Sequence, residues 1–348
     1  MIDKFQDIDY SIDRQDGDLT PIQMFYRNTK IFITGSTGFL GIILIEKLLR
    51  SCPDCSLYLL IRPKKGKTME TRFDELFEQD VFQRMKNHCP KFRERLVGIE
   101  GDLTKPNLGL SPENIKLLTK EIHIVFHVAA TVRFDEKLKT AVPINICATQ
   151  DLIRLARQMP KLKSLVHVST AYCNCIHDVM EEKIYPSTVD YKLLISMTEN
   201  LPDNILENIT PGEPIRGWIN NIYGPTGVVT GAGVGLLRVL HCNGQVNANL
   251  VPVDMCVNGL IIVACEVGKA FENTRNDPYF ATKQWTLKSG NLKKLITTMS
   301  DRDRKIFFCD LKQINWDEYF QTYTLGGRIY LIKDDMNTLS EAKKKWDR

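Results

Sequence analysis

Short apolar runs alternate with amphipathic segments through the first half of the chain. Five runs have the length and apolar character of buried parallel strands; they are Lys30–Gly35, Ser56–Arg62, Arg95–Asp102, Ile122–Ala130 and Lys163–Thr170. The segments between them predict helices at Phe39–Cys52, Thr68–Lys86, Ser111–Glu121 and from about Phe134 to Gln158, the last with a break at Pro143. Strands that alternate with helices predict an α/β fold with a doubly wound, mostly parallel sheet.

The pattern changes after the fifth predicted strand. Between Ile176 and Arg216 the spacing predicts a helix over Asp190–Leu201 but no buried strand. The apolar stretch Leu250–Gly268 contains two acids and an amide, so it predicts a strand followed by a buried helix and not a membrane span. From about Gln284 the chain is charged and mostly helical, which predicts a small helical C-terminal appendage that packs through its aromatic side chains.

Composition and charge limit the kinds of partner and the redox environment that we expect. The 348 residues carry a net charge of +4 and no basic stripe interleaved with aromatics, so we expect no nucleic-acid partner. The polar segment 1–28, expected to be loosely held, has no apolar stretch of the kind a secretory signal needs. The ten cysteines are therefore expected to be reduced. Cys52 and Cys55 have a CxxC spacing without a second pair to match, which favours a turn and no metal.

The segment TGSTGFLG joins the first predicted strand to the first predicted helix. Its glycines suit a tight turn at Gly35, close approach of the backbone to a pyrophosphate at Gly38, and close helix–strand packing at Gly41. The N–H groups and the dipole of the following helix favour an anion. The segment therefore predicts the dinucleotide site of a Rossmann-type sheet, formed by Thr34, Gly35, Ser36, Thr37, Gly38, Phe39 and Gly41.

The end of the second predicted strand indicates which nucleotide is bound. A site for NAD has an acid there, about 20 residues after the glycine turn, that bonds the ribose 2′-OH. This chain has Arg62 followed by a lysine-rich stretch, and a guanidinium suits a 2′-phosphate, so we expect NADP(H), with NADPH as the reductant. The alternative is a solvated basic loop. Asp102 with Leu103 is expected near the adenine, and Ala129 with Ala130 is expected to leave room for the cofactor, although both pairs also suit ordinary turns.

Several blocks of sequence resemble a known family. The chain is similar to the extended short-chain dehydrogenase/reductases and, more narrowly, to fatty acyl-CoA reductases of the animal male-sterility type. The resemblance runs from about residue 25 to the end and is carried by ITGSTGFLGIILIEKLLRSCPDCSLYLLIRPKKGK, FHVAATVRFDEKLKTAVPINICAT, HVSTAYCNC, GWINNIYGPTGVVTGAGVGLLRVLH, NLVPVDMCVNGLIIVA and INWDEYFQTYTLGGRIYLIKDD.

The resemblance implies reduction of a long-chain fatty acyl-CoA by NADPH, through an aldehyde, to a fatty alcohol. In such enzymes a Ser and a Tyr hold the carbonyl oxygen, and a Lys four residues after the Tyr supports it. Hydride addition builds negative charge on that oxygen, so a hydrogen-bond donor must face it. Ser169 matches the family's serine. The alternative is a hydroxyl that only satisfies the end of a strand.

The partner of Ser169 is missing from the segment where the family carries it. After Ser169 only Tyr279 is followed four residues later by lysine, at Lys283, far along the chain from that segment, and the other Tyr-x-x-x-Lys of the chain, Tyr26 to Lys30, precedes the first strand. Family-like sequence on either side indicates that the Tyr–Lys helix and the next strand are absent as a unit between Pro211 and Gly212. A second interruption falls near Lys283.

Three hypotheses for the activity of this chain stay open. The first is an active reductase, with Tyr172 as the first candidate for a substitute donor, and the second is a catalytically impaired NADP(H)-binding isoform. A nucleotide-sugar reductase or epimerase is a weaker alternative.

The expected domains are the polar segment 1–28, an NADP-binding reductase domain over 29–283 interrupted near 211/212, and a truncated sterile-type region over 284–348. The resemblance places such enzymes at the surface of the endoplasmic reticulum or peroxisome, with peripheral membrane association.

Overall fold

A computed structural model describes residues 19–64, 66–133, 136–170, 185, 187, 189–209, 251–273 and 290–326. Its five strands are β1 (Lys30–Thr34), β2 (Ser56–Ile61), β3 (Leu96–Glu100), β4 (Ile124–His127) and β5 (Ser164–His167). All pairings between these strands are parallel, in the order β3-β2-β1-β4-β5. The order reverses beside β1, as in a doubly wound sheet, and this confirms the predicted fold class.

Helices precede, connect and follow the strands. The helix α1 (Pro21–Tyr26) precedes β1. The helices between strands are α2 (Phe39–Ser51), α3 (Met69–Phe77), α4 (Gln83–His88), α5 (Pro112–Glu121), α6 (Leu138–Val142) and α7 (Ala148–Ala156). Those after β5 are α8 (Tyr191–Asn200), α9 (Asp203–Ile209), α10 (Val253–Asn273), α11 (Gly290–Thr298), α12 (Asp301–Ile306) and α13 (Trp316–Gly326).

The two faces of the sheet bury different sets of side chains. Along β1, Ile31 and Ile33 face one side, where they share an apolar cluster with residues of α2 and α10. Phe32 faces the other side, with residues of α5 and α7. All three are fully buried, as expected for a central strand covered on both faces. Burial of each such side chain stabilises the fold by about 1.5–3 kcal/mol.

The helix predicted over Thr68–Lys86 is two helices, so that prediction is wrong in its middle. A 3₁₀ turn at Asp80–Phe82 separates α3 from α4. Phe77 and Phe82 are both fully buried, with ring centroids 4.9 Å apart. Residues five apart point in different directions on a straight α-helix. The chain must therefore turn to bury both rings on one side.

The break predicted at Pro143 is milder than expected. The backbone stays helical from α6 through a π-helical turn at Pro143–Cys147 into α7. The amide of Ala148 donates to the carbonyl of Pro143, which is the wider bond of a π-turn. Proline lacks an amide hydrogen, so the helix changes its bonding there and does not end.

The apolar stretch Leu250–Gly268 also differs from the prediction. Its helical part is confirmed, since α10 buries Val257 and Ile261. The expected strand before it is not seen at Val251 and Pro252, and Leu250 lies outside the described residues. Proline cannot donate to a strand ladder and suits a position just before a helix.

The N-terminal segment is more firmly attached than expected where it is described. Thr20 and Gln23 form a capping box that starts α1. Ile22 and Tyr26 are buried, and the Tyr26 hydroxyl donates to the carbonyl of Ile261 at 2.7 Å. This part of segment 1–28 therefore packs against α10, contrary to the expectation of a loose segment. Residues 1–18 lie outside the described residues.

The chain divides into two compact units. One comprises Met1–Pro211 and Pro252–Cys309, and the other comprises Gly212–Val251 and Asp310–Arg348. In the second unit, α13 carries a row of ring contacts among Trp316, Tyr319, Phe320 and Tyr323. No helix within the described ranges is both long enough and apolar enough to cross a membrane.

Candidate functional site

The glycine segment forms a tight turn between β1 and α2. Gly35 has φ +75°, and the amide of Gly38 donates to its carbonyl at 2.9 Å. A Cβ atom on Gly35 would lie 2.7 Å from the amide nitrogen of Ala129, and one on Gly41 would lie 2.2 Å from the carbonyl oxygen of Gly35. Both positions therefore require glycine, and backbone amides at the start of α2 remain available to an anion.

Two hydroxyl side chains of this segment are committed to the protein. The buried Ser36 donates to the carbonyl of Leu60 at 2.6 Å, and the buried Thr34 lies 2.7 Å from Nδ1 of His127. Only their backbone groups are therefore left for a ligand. Thr37, Gly38 and Phe39 are exposed at the turn, Phe39 with 72% of its surface accessible.

Arg62 and Asp102 come together at the ends of β2 and β3. Arg62 Nη1 lies 3.8 Å from Asp102 Oδ1, and the Arg62 side chain is 51% exposed. The same carboxylate oxygen accepts from the amide and the hydroxyl of Thr104, at 3.0 and 2.8 Å, so Asp102 is held by its own turn. Leu103 is half-buried against the apolar cluster that contains Phe32. The exposed guanidinium is thus positioned beside the carboxyl edge of the sheet.

The end of β4 approaches the glycine turn. Ala129 is buried, and its amide donates to Thr34 Oγ1 at 3.4 Å. Ala130, the next residue, is exposed. Both side chains end at Cβ, so they add little bulk beside the glycine turn.

Ser169 is exposed and follows the last residue of β5 by two positions. The amide of Val168 donates to the carbonyl of His127, so the chain leaves the sheet immediately before the serine. Ser169 therefore lies at the same edge of the sheet as the glycine turn. Tyr172 and the predicted junction near 211/212 lie outside the described residues.

Tyr26 and Lys30 do not form a catalytic pair. Tyr26 is fully buried, and burial raises the pKa of its hydroxyl well above the usual value. Lys30 begins β1, at the amino edge of the sheet, and its ammonium lies 2.6 Å from a carboxylate oxygen of Glu121. Both groups are committed to structural partners at the edge opposite Gly35.

His127 is a site residue that the sequence reasoning missed. Its Nδ1 faces Thr34, its Nε2 lies 3.0 Å from the hydroxyl of Thr149, and its ring centroid is 5.0 Å from that of His167. Burial, with a smaller contribution from His167, lowers the pKa of His127 to about 4. The signal in the sequence was a polar residue at the end of an otherwise apolar strand, IVFH.

The CxxC pair lies in a buried turn. Cys52 and Cys55 are fully buried, and burial raises the pKa of both thiols. Arg95 donates to the carbonyl of Cys52 at 2.6 Å and contacts the sulfur of Cys55 at 3.0 Å. Across the part of the chain that the structure describes, no cluster of three or more histidine, cysteine or acidic side chains could hold a metal ion.

Two family models match the chain. The NAD-binding model of the male sterility protein matches residues 33–208 and, separately, 202–260. The Sterile model, also described as male sterility protein, matches residues 263–334. The first match begins in β1 and therefore contains the glycine turn, Arg62 and Ser169.

Curated relatives agree with the family models. "Fatty acyl-CoA reductase wat" of Drosophila melanogaster is 30% identical over 462 residues, which cover 95% of this chain and 89% of the relative. "Fatty acyl-CoA reductase 1" of Homo sapiens is 29% identical over 458 residues, covering 94% and 89%. Among solved structures, the reductase domain of a non-ribosomal peptide synthetase from Mycobacterium tuberculosis is 19% identical, with a TM-score of 0.48 over 86% of this chain and 84% of that one. With a nicotinamide-nucleotide turn in a doubly wound sheet and both family models matched, the chain belongs to the fatty acyl-CoA reductase family of oxidoreductases.

Proposed function

We propose that this chain binds NADPH and that the reaction it supports is reduction of a long-chain fatty acyl-CoA to a fatty alcohol through the aldehyde. The observation that carries the proposal is the glycine turn with an exposed guanidinium, Arg62, at the end of the neighbouring strand. The named relatives are fatty acyl-CoA reductases, which gives the substrate class.

The residues at the carboxyl edge fit a nicotinamide dinucleotide. Gly35 and Gly41 let the turn pack closely on its neighbours, and the exposed Thr37 and Gly38 would present the backbone at the start of α2 to a pyrophosphate. Arg62 would hold the 2′-phosphate by charge-assisted hydrogen bonds. Asp102 with Leu103 would border the adenine, and Ala129 with Ala130 would leave room for the rest. When bound, the reduced cofactor supplies the hydride.

Ser169 would hold the carbonyl oxygen of the substrate. Its hydroxyl is exposed at the edge where the cofactor would lie, and a donor placed there stabilises the charge that develops on oxygen. A tyrosine needs a neighbouring cation to become a good acid near neutral pH. Without the Tyr–Lys pair that the resemblance expects between Pro211 and Gly212, we expect the reaction to be slower by a factor of about 10²–10⁴ than with a general acid in place.

The second candidate is therefore a catalytically impaired NADP(H)-binding isoform. It is favoured by the two-part match of the NAD-binding model, whose segments meet near the predicted junction at 211/212. The alignments with relatives are also longer than the chain itself, 462 positions against 348 residues, so the relatives contain segments that this chain lacks. The Sterile match at 263–334 speaks against a nucleotide-sugar enzyme.

One experiment separates the two candidates. The purified full chain is incubated with palmitoyl-CoA and NADPH, and aldehyde and alcohol are measured, alongside calorimetric titration with NADPH and NADH. Alcohol formed at rates typical of enzymes supports the active reductase and rules out impairment, whereas tight NADPH binding with only trace product supports the impaired isoform. Absence of NADPH binding overturns both.

Single-residue variants then identify which hydroxyl groups donate hydrogen bonds to the substrate carbonyl. Ser169→Ala should abolish whatever product forms, and Tyr172→Phe should do so only if Tyr172 has taken the place of the missing tyrosine. Ser196→Ala, at an exposed position of α8, is the matched control and should leave turnover unchanged. Product formation that survives Ser169→Ala would contradict the role proposed for that hydroxyl.

The place of action is a separate proposal. We expect peripheral association with the endoplasmic reticulum or peroxisome, following the resemblance to this family. Imaging of a fluorescent fusion against markers of both organelles tests it, and a diffuse signal without enrichment at either would contradict it.

A further inference from the structure

A chain of hydrogen bonds connects the end of β1 to the end of β4 through a buried histidine. The amide of Ala129 donates to Thr34 Oγ1 at 3.4 Å, and the same hydroxyl lies 2.7 Å from His127 Nδ1. On the other side of the ring, Nε2 lies 3.0 Å from Thr149 Oγ1. The hydroxyl of Thr149 in turn donates to the carbonyl of Asn145 at 2.9 Å. The register pairs Thr34 directly with His127 across the two strands.

The direction of each hydrogen bond follows from the end of this chain. The carbonyl of Asn145 can only accept, so Thr149 uses its single hydroxyl hydrogen there and must accept from His127 Nε2. A neutral imidazole carries one hydrogen, so Nδ1 is then an acceptor and receives the hydroxyl hydrogen of Thr34. The oxygen of Thr34 retains a lone pair for the amide of Ala129. All of these hydrogen bonds can form together only when the imidazole of His127 is neutral and carries its hydrogen on Nε2.

Asn145 extends the network to the next stretch of backbone. Its carboxamide oxygen accepts from the amide of Thr131 at 2.9 Å, and its nitrogen donates to the carbonyl of Thr131 at 3.0 Å. The segment after β4 is therefore held at Ala129 by Thr34 and at Thr131 by Asn145, while His127 and Thr149 connect the two anchors.

We propose that His127 is a positioning residue of the nucleotide site: as a neutral imidazole protonated on Nε2, it fixes the separation between the Gly35 turn and the segment that begins at Ala129. This inference rests on the proposed binding of NADPH at that edge. The close approach is already tight, since a Cβ on Gly35 would lie 2.7 Å from the amide nitrogen of Ala129. A small shift of either segment therefore closes or opens the space beside the turn.

The surroundings of His127 favour the neutral form. The groups that face the ring are the hydroxyl of Thr34 from β1, the hydroxyl of Thr149 from α7 and the imidazole of His167 from β5. None of them carries a negative charge to stabilise an imidazolium. Burial opposes the charge further, which lowers the pKa of His127. A proton on Nδ1 would leave the hydroxyl of Thr34 without its acceptor.

The test compares NADPH affinity with stability in the full chain. His127→Phe should raise the dissociation constant for NADPH about tenfold, the loss expected for one well-placed hydrogen bond. Phe126→Leu is the matched control, because Phe126 is equally buried on the adjacent position of β4 but faces the opposite side of the sheet. It should lower the melting temperature and leave the dissociation constant unchanged.

Conservative variants distinguish the contributions of the two ring nitrogens of His127 to NADPH affinity. Asparagine can place an oxygen where Nδ1 lies, whereas glutamine can place an amide near Nε2. His127→Asn should therefore recover more NADPH affinity than His127→Gln, because only the bond to Thr34 reaches the turn. Thr149→Val should weaken NADPH binding in the wild-type background and have no further effect on His127→Phe.

Two outcomes distinguish failure of this inference from failure of the proposed function. If the wild-type protein binds no NADPH, the proposed function fails. If it binds NADPH and His127→Phe binds equally well, the positioning role is overturned. Nitrogen-15 NMR of the imidazole in the nucleotide-free protein gives an independent test, since a hydrogen on Nδ1 at neutral pH would contradict the assigned tautomer even if a variant fails to fold.

Discussion

The guanidinium of Arg62 lies 3.8 Å from the carboxylate of Asp102, at the carboxyl ends of neighbouring strands. The pair combines the cation expected for a 2′-phosphate with the acid expected near the adenine. Because Asp102 also accepts two hydrogen bonds from Thr104, its carboxylate is fixed and holds the more exposed Arg62 at the edge of the sheet. A phosphate arriving there would find a cation already oriented.

Arg62→Ala should therefore weaken NADPH binding without affecting NADH. A hydrogen bond to a charged group contributes about 1.5–3 kcal/mol, so the dissociation constant for NADPH should rise roughly 10- to 100-fold. Calorimetric titration of both nucleotides is the measurement. Arg154→Ala removes another exposed arginine, one paired with Asp151 on α7, and should change neither affinity. An equal loss for NADH and NADPH would show that Arg62 does not read the 2′-phosphate.

Two glycine-to-alanine changes should have opposite effects on stability. At Gly41 the new Cβ would lie 2.2 Å from the carbonyl oxygen of Gly35, a backbone atom that cannot move aside without opening the turn. Gly41→Ala should cost about 1–3 kcal/mol or more and abolish nucleotide binding. At Gly259, in α10, nothing lies within 4 Å of the added carbon, so Gly259→Ala should stabilise the helix by up to about 1 kcal/mol.

Thermal unfolding of the two glycine variants and the wild type checks this contrast. The Gly41 variant should melt below the wild-type protein and the Gly259 variant above it. Wild-type melting of Gly41→Ala would mean that helix and turn do not approach each other closely in solution.

The sheet was predictable because the evidence for it is local. Each strand is a short apolar run that ends in a turn, and the glycine motif at Thr34–Gly41 marks β1 as the first strand of a doubly wound unit. The parallel order then follows from the alternation with helices. The helix predicted over Thr68–Lys86 failed in its middle because tertiary contacts decided the backbone there. Phe77 and Phe82 had to reach one cluster, and no local pattern encodes that requirement.

The site was predictable only in part, for a related reason. Gly35 and Arg62 belong to a motif with fixed spacing, so their chemistry can be read along the chain. The roles of Thr34 and His127 depend on partners 93 positions away, which only the register of β1 with β4 brings together. Likewise, segment 1–28 was expected to be loosely held, because the partner of its buried Tyr26 lies on α10, far along the chain, and the local sequence does not show that contact.

Tyr26→Phe should lower stability and leave nucleotide binding intact. The hydroxyl donates to the carbonyl of Ile261 at 2.7 Å in a buried contact, so its loss should cost about 1 kcal/mol. Because Tyr26 lies at the amino edge of the sheet, the dissociation constant for NADPH and any turnover should not change. Chemical denaturation and NADPH titration are the measurements. A large loss of turnover with unchanged stability would contradict the purely structural role assigned to Tyr26.

His127 should make the stability of the protein depend on pH between its folded and unfolded pKa values. The pKa of His127 is about 4 in the folded protein, against 6.5 for a histidine in the unfolded chain. Above pH 6.5 the imidazole is neutral in both states, and the folded state retains its full stability. As the pH falls from 6.5 towards 4, the unfolded chain takes up a proton that the folded chain excludes. The free energy of unfolding then falls, by on the order of 3 kcal/mol over the whole window.

His127→Phe removes this one titration and leaves the other groups in place. His123 and His167 also have lowered pKa values because of burial, so they contribute to the slope in both proteins. The difference in unfolding free energy between wild type and variant isolates His127. Urea denaturation should show that difference shifting by about 2 kcal/mol in favour of the variant between pH 7 and pH 5. If the difference stays constant with pH, the imidazole takes up its proton as readily in the folded protein as in the unfolded chain. That result would contradict the lowered pKa expected for a ring enclosed by Thr34 and Thr149.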